Sequence, residues 1–129
     1  MRYYTKEITS LEPNQIFVFG SNLAGRHGAG AAQFAMVKFH AIWGIGEGLT
    51  GHCYALPTKD ENIETISLNK IEKHVYLLLK VIAERTDLDF IITKVGCGLA
   101  GYTNEEIAPM FKGFPPNCLF DIEWKEYLE

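Results

Sequence analysis

Covalent staples and metal clusters are missing from this sequence. Its three cysteines, Cys53, Cys97 and Cys118, are odd in number and widely spaced, which argues against a disulfide framework and against a paired-cysteine zinc site. They read as reduced thiols in a packed interior. The four histidines, His27, His40, His52 and His74, show neither the His-x-x-x-His nor the His-Glu-x-x-His spacing of a metal-binding helix. No metal and no cofactor is expected. Basic residues are also short, with 12 Lys and Arg against 16 Asp and Glu, and the resulting net charge of -4 gives no broad positive field for a nucleic-acid backbone. Long apolar runs are absent as well. The longest nearly uncharged stretch, residues 23–46, is broken by Arg26, His27, Lys38 and five glycines, so it does not fit a membrane-spanning helix. Residues 1–7 contain no apolar signal core. The expectation is a cytoplasmic protein with no membrane partner and no general nucleic-acid binding; composition does not set its oligomeric state.

What is present is the make-up of an ordinary globular chain, 47% hydrophobic and 22% charged, with 129 residues to bury a core. It is read as one domain over residues 1–129. Four near-continuous apolar runs, residues 16–19, 53–56, 90–95 and 118–122, have the length and composition of strands covered on both faces. Between the second and third, Leu68, Ile71, Val75, Leu78, Leu79 and Ile82 recur at helical spacing behind Ser67, a capping residue. Thr103 and Glu106 form a capping-box pair that opens a helix of two to three turns, stopped by Gly113 and Pro115-Pro116. Residues 28–39, rich in alanine, form a further helix after the first strand. Strands alternating with helices predict a three-layer α/β/α domain around a largely parallel, mixed sheet.

Glycine gathers where two of these strands end. The first strand runs into Gly20, Ser21 and Asn22 and then Gly25-Arg26-His27-Gly28-Ala29-Gly30, and the third into Gly96-Cys97-Gly98-Leu99-Ala100-Gly101-Tyr102. Ligands of open α/β sheets bind at the carboxyl ends of strands, where glycine lets the backbone approach closely and free amides face anions. Two such loops on one edge predict a phosphate-binding cleft. The segment Gly20-x-x-x-x-Gly25-Arg26-His27 has the outline of a P-loop without its Lys-Ser/Thr ending, which argues against a P-loop nucleotidase. The segment Gly96-x-Gly98-x-x-Gly101 matches the dinucleotide fingerprint, with Asp121 at the distance of a ribose contact. A Rossmann-like NAD-binding or nucleotide-sensing module without catalysis is therefore the alternative reading.

Three blocks, residues 27–34, 56–60 and 95–102, resemble the corresponding motifs of macro domains of the ADP-ribosyl-glutamate hydrolase and chromatin-remodeller type, in the family's order. The resemblance implies a macro-like fold and a cleft for ADP-ribose or a related nucleotide. It implies that the loop around Gly28 and Gly30 approaches the diphosphate, that residues 96–101 form the second phosphate loop, and that Asn22 reaches a ribose. In the hydrolase branch a lysine attacks the sugar and an aspartate assists. Lys59 matches the lysine, but Ala100 stands where the aspartate is expected, leaving Asp60 or Asp121 as candidate acids or bases. If the chain is an enzyme, the resemblance implies an ADP-ribosyl or phosphoester hydrolase.

The remaining candidates are assigned by residue type. Arg26 and His27 offer charge to a phosphate. Tyr102 is placed to stack on a base or ribose and to sort ligands, while the helix-opening Gly28 block supplies the shared affinity. Cys97 would be a nucleophile only with a lowered pKa, and packing is the better reading. Trp43 and Trp124 lie outside the glycine loops and are read as anchors of the core or surface. The tail 121–129, mixing aromatic and acidic residues, is read either as a docked terminal helix or as a partner segment.

Overall fold

A computed structural model describes residues 1–129. Its strands are β1 (Arg2–Tyr4), β2 (Gln15–Asn22), β3 (Gly48–Thr50), β4 (Cys53–Lys59), β5 (Asp89–Ile92) and β6 (Cys118–Asp121). They form one sheet in the order β1-β6-β5-β2-β4-β3. Every pairing is parallel except that of β3 with β4, so the sheet is mixed and mostly parallel, as expected. The helices are α1 (Gly30–Phe39), α2 (Leu68–Glu84), α3 (Asn104–Ile107) and α4 (Lys125–Leu128).

Strand alternation divides the core into two layers. On β2, Phe17 and Phe19 face one side, where Ala32, Ala35 and Phe39 of α1 pack with Cys53 and Ala55 of β4. Ile16 and Val18 face the other, joining Tyr54 and Leu56, the stripe Ile71, Val75, Leu78 and Ile82 of α2, and Phe111, Phe120 and Trp124. Because successive strand residues point to opposite faces, near-continuous apolar runs require helices on both sides, and α1 lies on one face with α2 on the other. The expected caps are formed: Ser67 accepts from the Lys70 amide, and Thr103 and Glu106 make the reciprocal capping box.

Several boundaries differ from those read in the sequence. Strands β1 and β3 have three residues each, too short for an apolar period, and exist because β6 and β4 offer them an edge. Helix α1 starts at Gly30 rather than at residue 28, and β5 stops at Ile92 rather than at 95. The capping box opens a single α turn that tightens into a 3₁₀ turn over Ala108–Phe111, because Pro109 cannot donate to the helical ladder. The tail is docked: a 3₁₀ turn, Ile122–Trp124, leads into α4, and the fully buried Trp124 donates from Nε1 to Asn104 Oδ1 at 3.0 Å.

That docking has a measurable consequence. Trp124→Ala is expected to lower the unfolding free energy by about 3–5 kcal/mol, a large share of a typical domain's stability, as read by denaturant unfolding. Truncation after Ile122 should abolish the cooperative transition; a stable, monodisperse truncated chain would contradict the docking.

Candidate functional site

Because β5, β2 and β4 run parallel, their carboxyl ends emerge on one edge of the sheet, and the segments that follow enclose a cleft of about 630 Å³. Gly20 and Asn22 come from β2, Thr58 and Lys59 from β4, and Thr93 to Gly96 from the chain leaving β5. Gly28 to Ala32, where α1 begins, and Gly98 to Ala100 complete the walls. The lining carries three cationic side chains, Arg26, Lys59 and Lys94, and no carboxylate. Neither Arg26 nor Lys59 has an acidic partner within ion-pair distance. A second cavity of about 350 Å³ adjoins the first and shares Gly30, Ala31, Thr93 and Lys94 with it. Its own walls are apolar or acidic, including Tyr4, Ile8, Phe34, Glu7 and Asp121.

Two solved structures share this architecture. The macrodomain of Mycobacterium tuberculosis DarG matches at a TM-score of 0.68 and 18% identity, covering 93% of this chain and 95% of that one. The chain has the macrodomain fold. A second match is Thermosipho africanus DarTG in complex with ADP-ribose, at a TM-score of 0.60 and 13% identity; it covers 85% of this chain but 38% of that longer one. No family model matches the sequence, and no curated protein does.

Within this fold the residues expected at the site divide into two groups. Gly20, Asn22, Arg26, Gly28, Ala29, Gly30, Lys59, Gly96, Gly98, Leu99 and Ala100 all line the cleft. Asn22 has a structural duty there: its Oδ1 accepts from the Arg26 amide and its Nδ2 donates to the Arg26 carbonyl, both at 2.9 Å, closing the loop that carries Arg26.

Ser21, His27, Asp60, Cys97, Gly101 and Tyr102 are absent from the lining, and most are held by other contacts. Ser21 is buried and donates to the Gly46 carbonyl. His27 does not reach the cleft: its ring is fully buried edge-on to Phe19, and because a carbonyl can only accept, Nε2 donates to Ile42 O at 2.9 Å. Asp60 spends one oxygen, Oδ1, on the amides of Asn62 and Glu64, shaping a turn instead of facing Lys59. Tyr102 stacks on nothing in the cleft; its hydroxyl donates to Ile66 O at 2.6 Å, which returns it to a packing role. Burial pushes the Cys97 thiol up to about 11, so at neutral pH it is not a thiolate nucleophile. The loop of residues 96–101 does not open a helix directly, since α3 starts at Asn104 and lasts one turn, and the dinucleotide fingerprint therefore lacks its phosphate-binding helix. Asp121 lies in the smaller cavity, where its Oδ1 also accepts from the Glu123 amide.

Sequence reading missed Trp43, Ile63 and Lys94, all of which line the cleft. Trp43 arrives through a close backbone approach: Gly44 N donates to Gly25 O at 2.8 Å, and a Cβ on Gly25 would lie 2.3 Å from the Gly44 carbonyl carbon. The indole, 56% exposed, thereby forms part of the wall. The glycines at 44 and 46, just after Trp43, were the available signal. Ile63 sits at φ 63°, a left-handed conformation unusual for a β-branched residue, within the turn that Asp60 organises.

The backbone geometry separates two glycines. Gly25 has φ +69° and no room for a side chain, whereas Gly28 lies outside the left-handed region and a Cβ there meets open space. Gly25→Ala is expected to destabilise the protein by more than about 1 kcal/mol, while Gly28→Ala leaves it unchanged or slightly stabilised. Thermal unfolding of the two variants beside the parent checks this, and equal effects would contradict the close approach.

Proposed function

We propose that this chain binds ADP-ribose, or a close relative with the same diphosphate, across the two adjoining cavities. The observation that carries the reading is electrostatic: a chain with a net charge of -4 lines this cleft with Arg26, Lys59 and Lys94 and with no acid. Such a concave wall concentrates positive potential on an anion, and the amides at the start of α1 add to it. Orientation follows from charge. Glu7 and Asp121 repel phosphate but accept hydrogen bonds from an exocyclic amine, and Tyr4, Ile8 and Phe34 cover a planar ring, so the base belongs in the smaller cavity. The terminal sugar then lies at the far end, toward Asn22 and Lys59. A protein of the same fold, Thermosipho africanus DarTG, in complex with ADP-ribose, supports this choice of ligand.

Titration calorimetry with ADP-ribose should give a Kd in the micromolar range or tighter. Gly98→Glu, at a position with open space and ordinary φ, should abolish binding by adding a carboxylate to the phosphate loop, with the circular dichroism spectrum unchanged. A folded wild-type sample giving no heat with ADP-ribose would overturn the proposal.

A hydrolytic reading is favoured by one further observation: Lys59 lines the cleft with no acidic partner to hold its amine. The amine would attack the anomeric carbon of the terminal ribose as the bond to the linked oxygen breaks, and water would then release the sugar and restore the lysine. Ala100, also in the wall, supplies no acid, so the leaving oxygen would take its proton from solvent. Release of ADP-ribose from a mono-ADP-ribosylated protein should then fall at least about a hundredfold in Lys59→Ala, a typical loss for a missing catalytic group. Equal turnover by both proteins would remove Lys59 from the chemistry.

A further inference from the structure

The four residues common to both cavities, Gly30, Ala31, Thr93 and Lys94, lie on the boundary where the two meet. In the orientation proposed above, with the base on one side and the sugar on the other, the diphosphate would lie at this boundary. Thr93 is already committed, its hydroxyl donating to Val18 O at 2.6 Å. Lys94 is the one charged group of the four, and its ammonium is ion-paired with the exposed carboxylate of Glu123, on the 3₁₀ turn after β6. No other hydrogen bond holds the Glu123 carboxylate, while its backbone amide is anchored to Asp121. The donor is thus positioned at the junction, and its present partner sits at the surface.

Resting on the ADP-ribose reading above, we infer that Lys94 is the cation that engages the diphosphate, and that Glu123 competes with the ligand for it. The ligand's phosphate replaces the carboxylate, so the pair acts as an internal counter-ion that tunes affinity for diphosphates without touching the base or the terminal sugar. Glu123 holds the Lys94 ammonium above the usual lysine range, which keeps it charged and ready for exchange. An exposed ion pair of this kind is weak, so a dianionic ligand can displace it.

The test is calorimetry of ADP-ribose, ADP and adenosine against wild type, Lys94→Met, Glu123→Gln, the double variant, and Glu126→Gln as a control that removes a nearby exposed charge. Lys94→Met should weaken ADP-ribose and ADP about tenfold. Glu123→Gln should tighten both about two- to fivefold, and that gain should vanish in the double variant, which binds as Lys94→Met does. Adenosine, lacking phosphates, should bind all five proteins alike, and Glu126→Gln should match wild type. The inference is overturned if Glu123→Gln does not tighten ADP-ribose, if the gain persists without Lys94, or if Glu126→Gln reproduces it, since the last two would indicate general charge effects. Wild type failing to bind ADP-ribose would instead remove the underlying reading, and this inference with it.

Discussion

Residues 15–22 form a strand hydrogen-bonded in parallel to a neighbour on each side, β4 along one edge and β5 along the other. Parallel neighbours require crossover connections, and those crossovers are helices that cover both faces. The apolar residues of β2 must therefore point both ways, with Phe17 and Phe19 under α1, and Ile16 and Val18 under α2. The same constraint sends the carboxyl ends of three central strands to one edge. Everything at the candidate site hangs from that edge: Asn22 at the end of β2, Lys59 at the end of β4, and Lys94 two residues past β5.

The electrostatics of the cleft illustrate why net charge is a poor guide to a local site. An excess of acid excludes a broad attraction for polyanions, yet the acids here lie elsewhere and Arg26, Lys59 and Lys94 share one concave wall. A low-dielectric cleft magnifies a small number of fixed charges far more than an open surface does. Glu123 reaches this wall only through its ion pair with Lys94, and Asp60, next to Lys59 in sequence, is drawn into its own turn. The carboxylate pair Glu7 and Asp121 stands in the adjoining cavity, so the two cavities differ in the sign of the group each can accept.

Much of the fold was legible because its signals are local. The stripe of α2, the Ser67 cap, the Thr103–Glu106 box and the apolar strands β2, β4, β5 and β6 each lie within a few consecutive turns or residues. The two glycine loops were legible for the same reason, as was the expectation that they face one another, since both follow strands. The edge strands β1 and β3 were not, because three residues carry no period and their pairing partners lie far along the chain.

Residue chemistry was determined by the sequence alone: which positions can approach a phosphate without a side chain, where a lysine follows a strand, and that an alanine stands at position 100. Which of these groups meet was decided only by tertiary structure. Burial turned His27 inward against Phe19 and Ile42, a hydrogen bond to Ile66 drew Tyr102 out of the cleft, and Asp60 was occupied by the amides of its own turn. Conversely, the contact of Gly25 with Gly44 carried Trp43 into the wall, and the Lys94–Glu123 pair joined residues from two different loops. A side chain's type limits what it can do, but its partners come from packing between segments distant in sequence, and no local pattern records those distances.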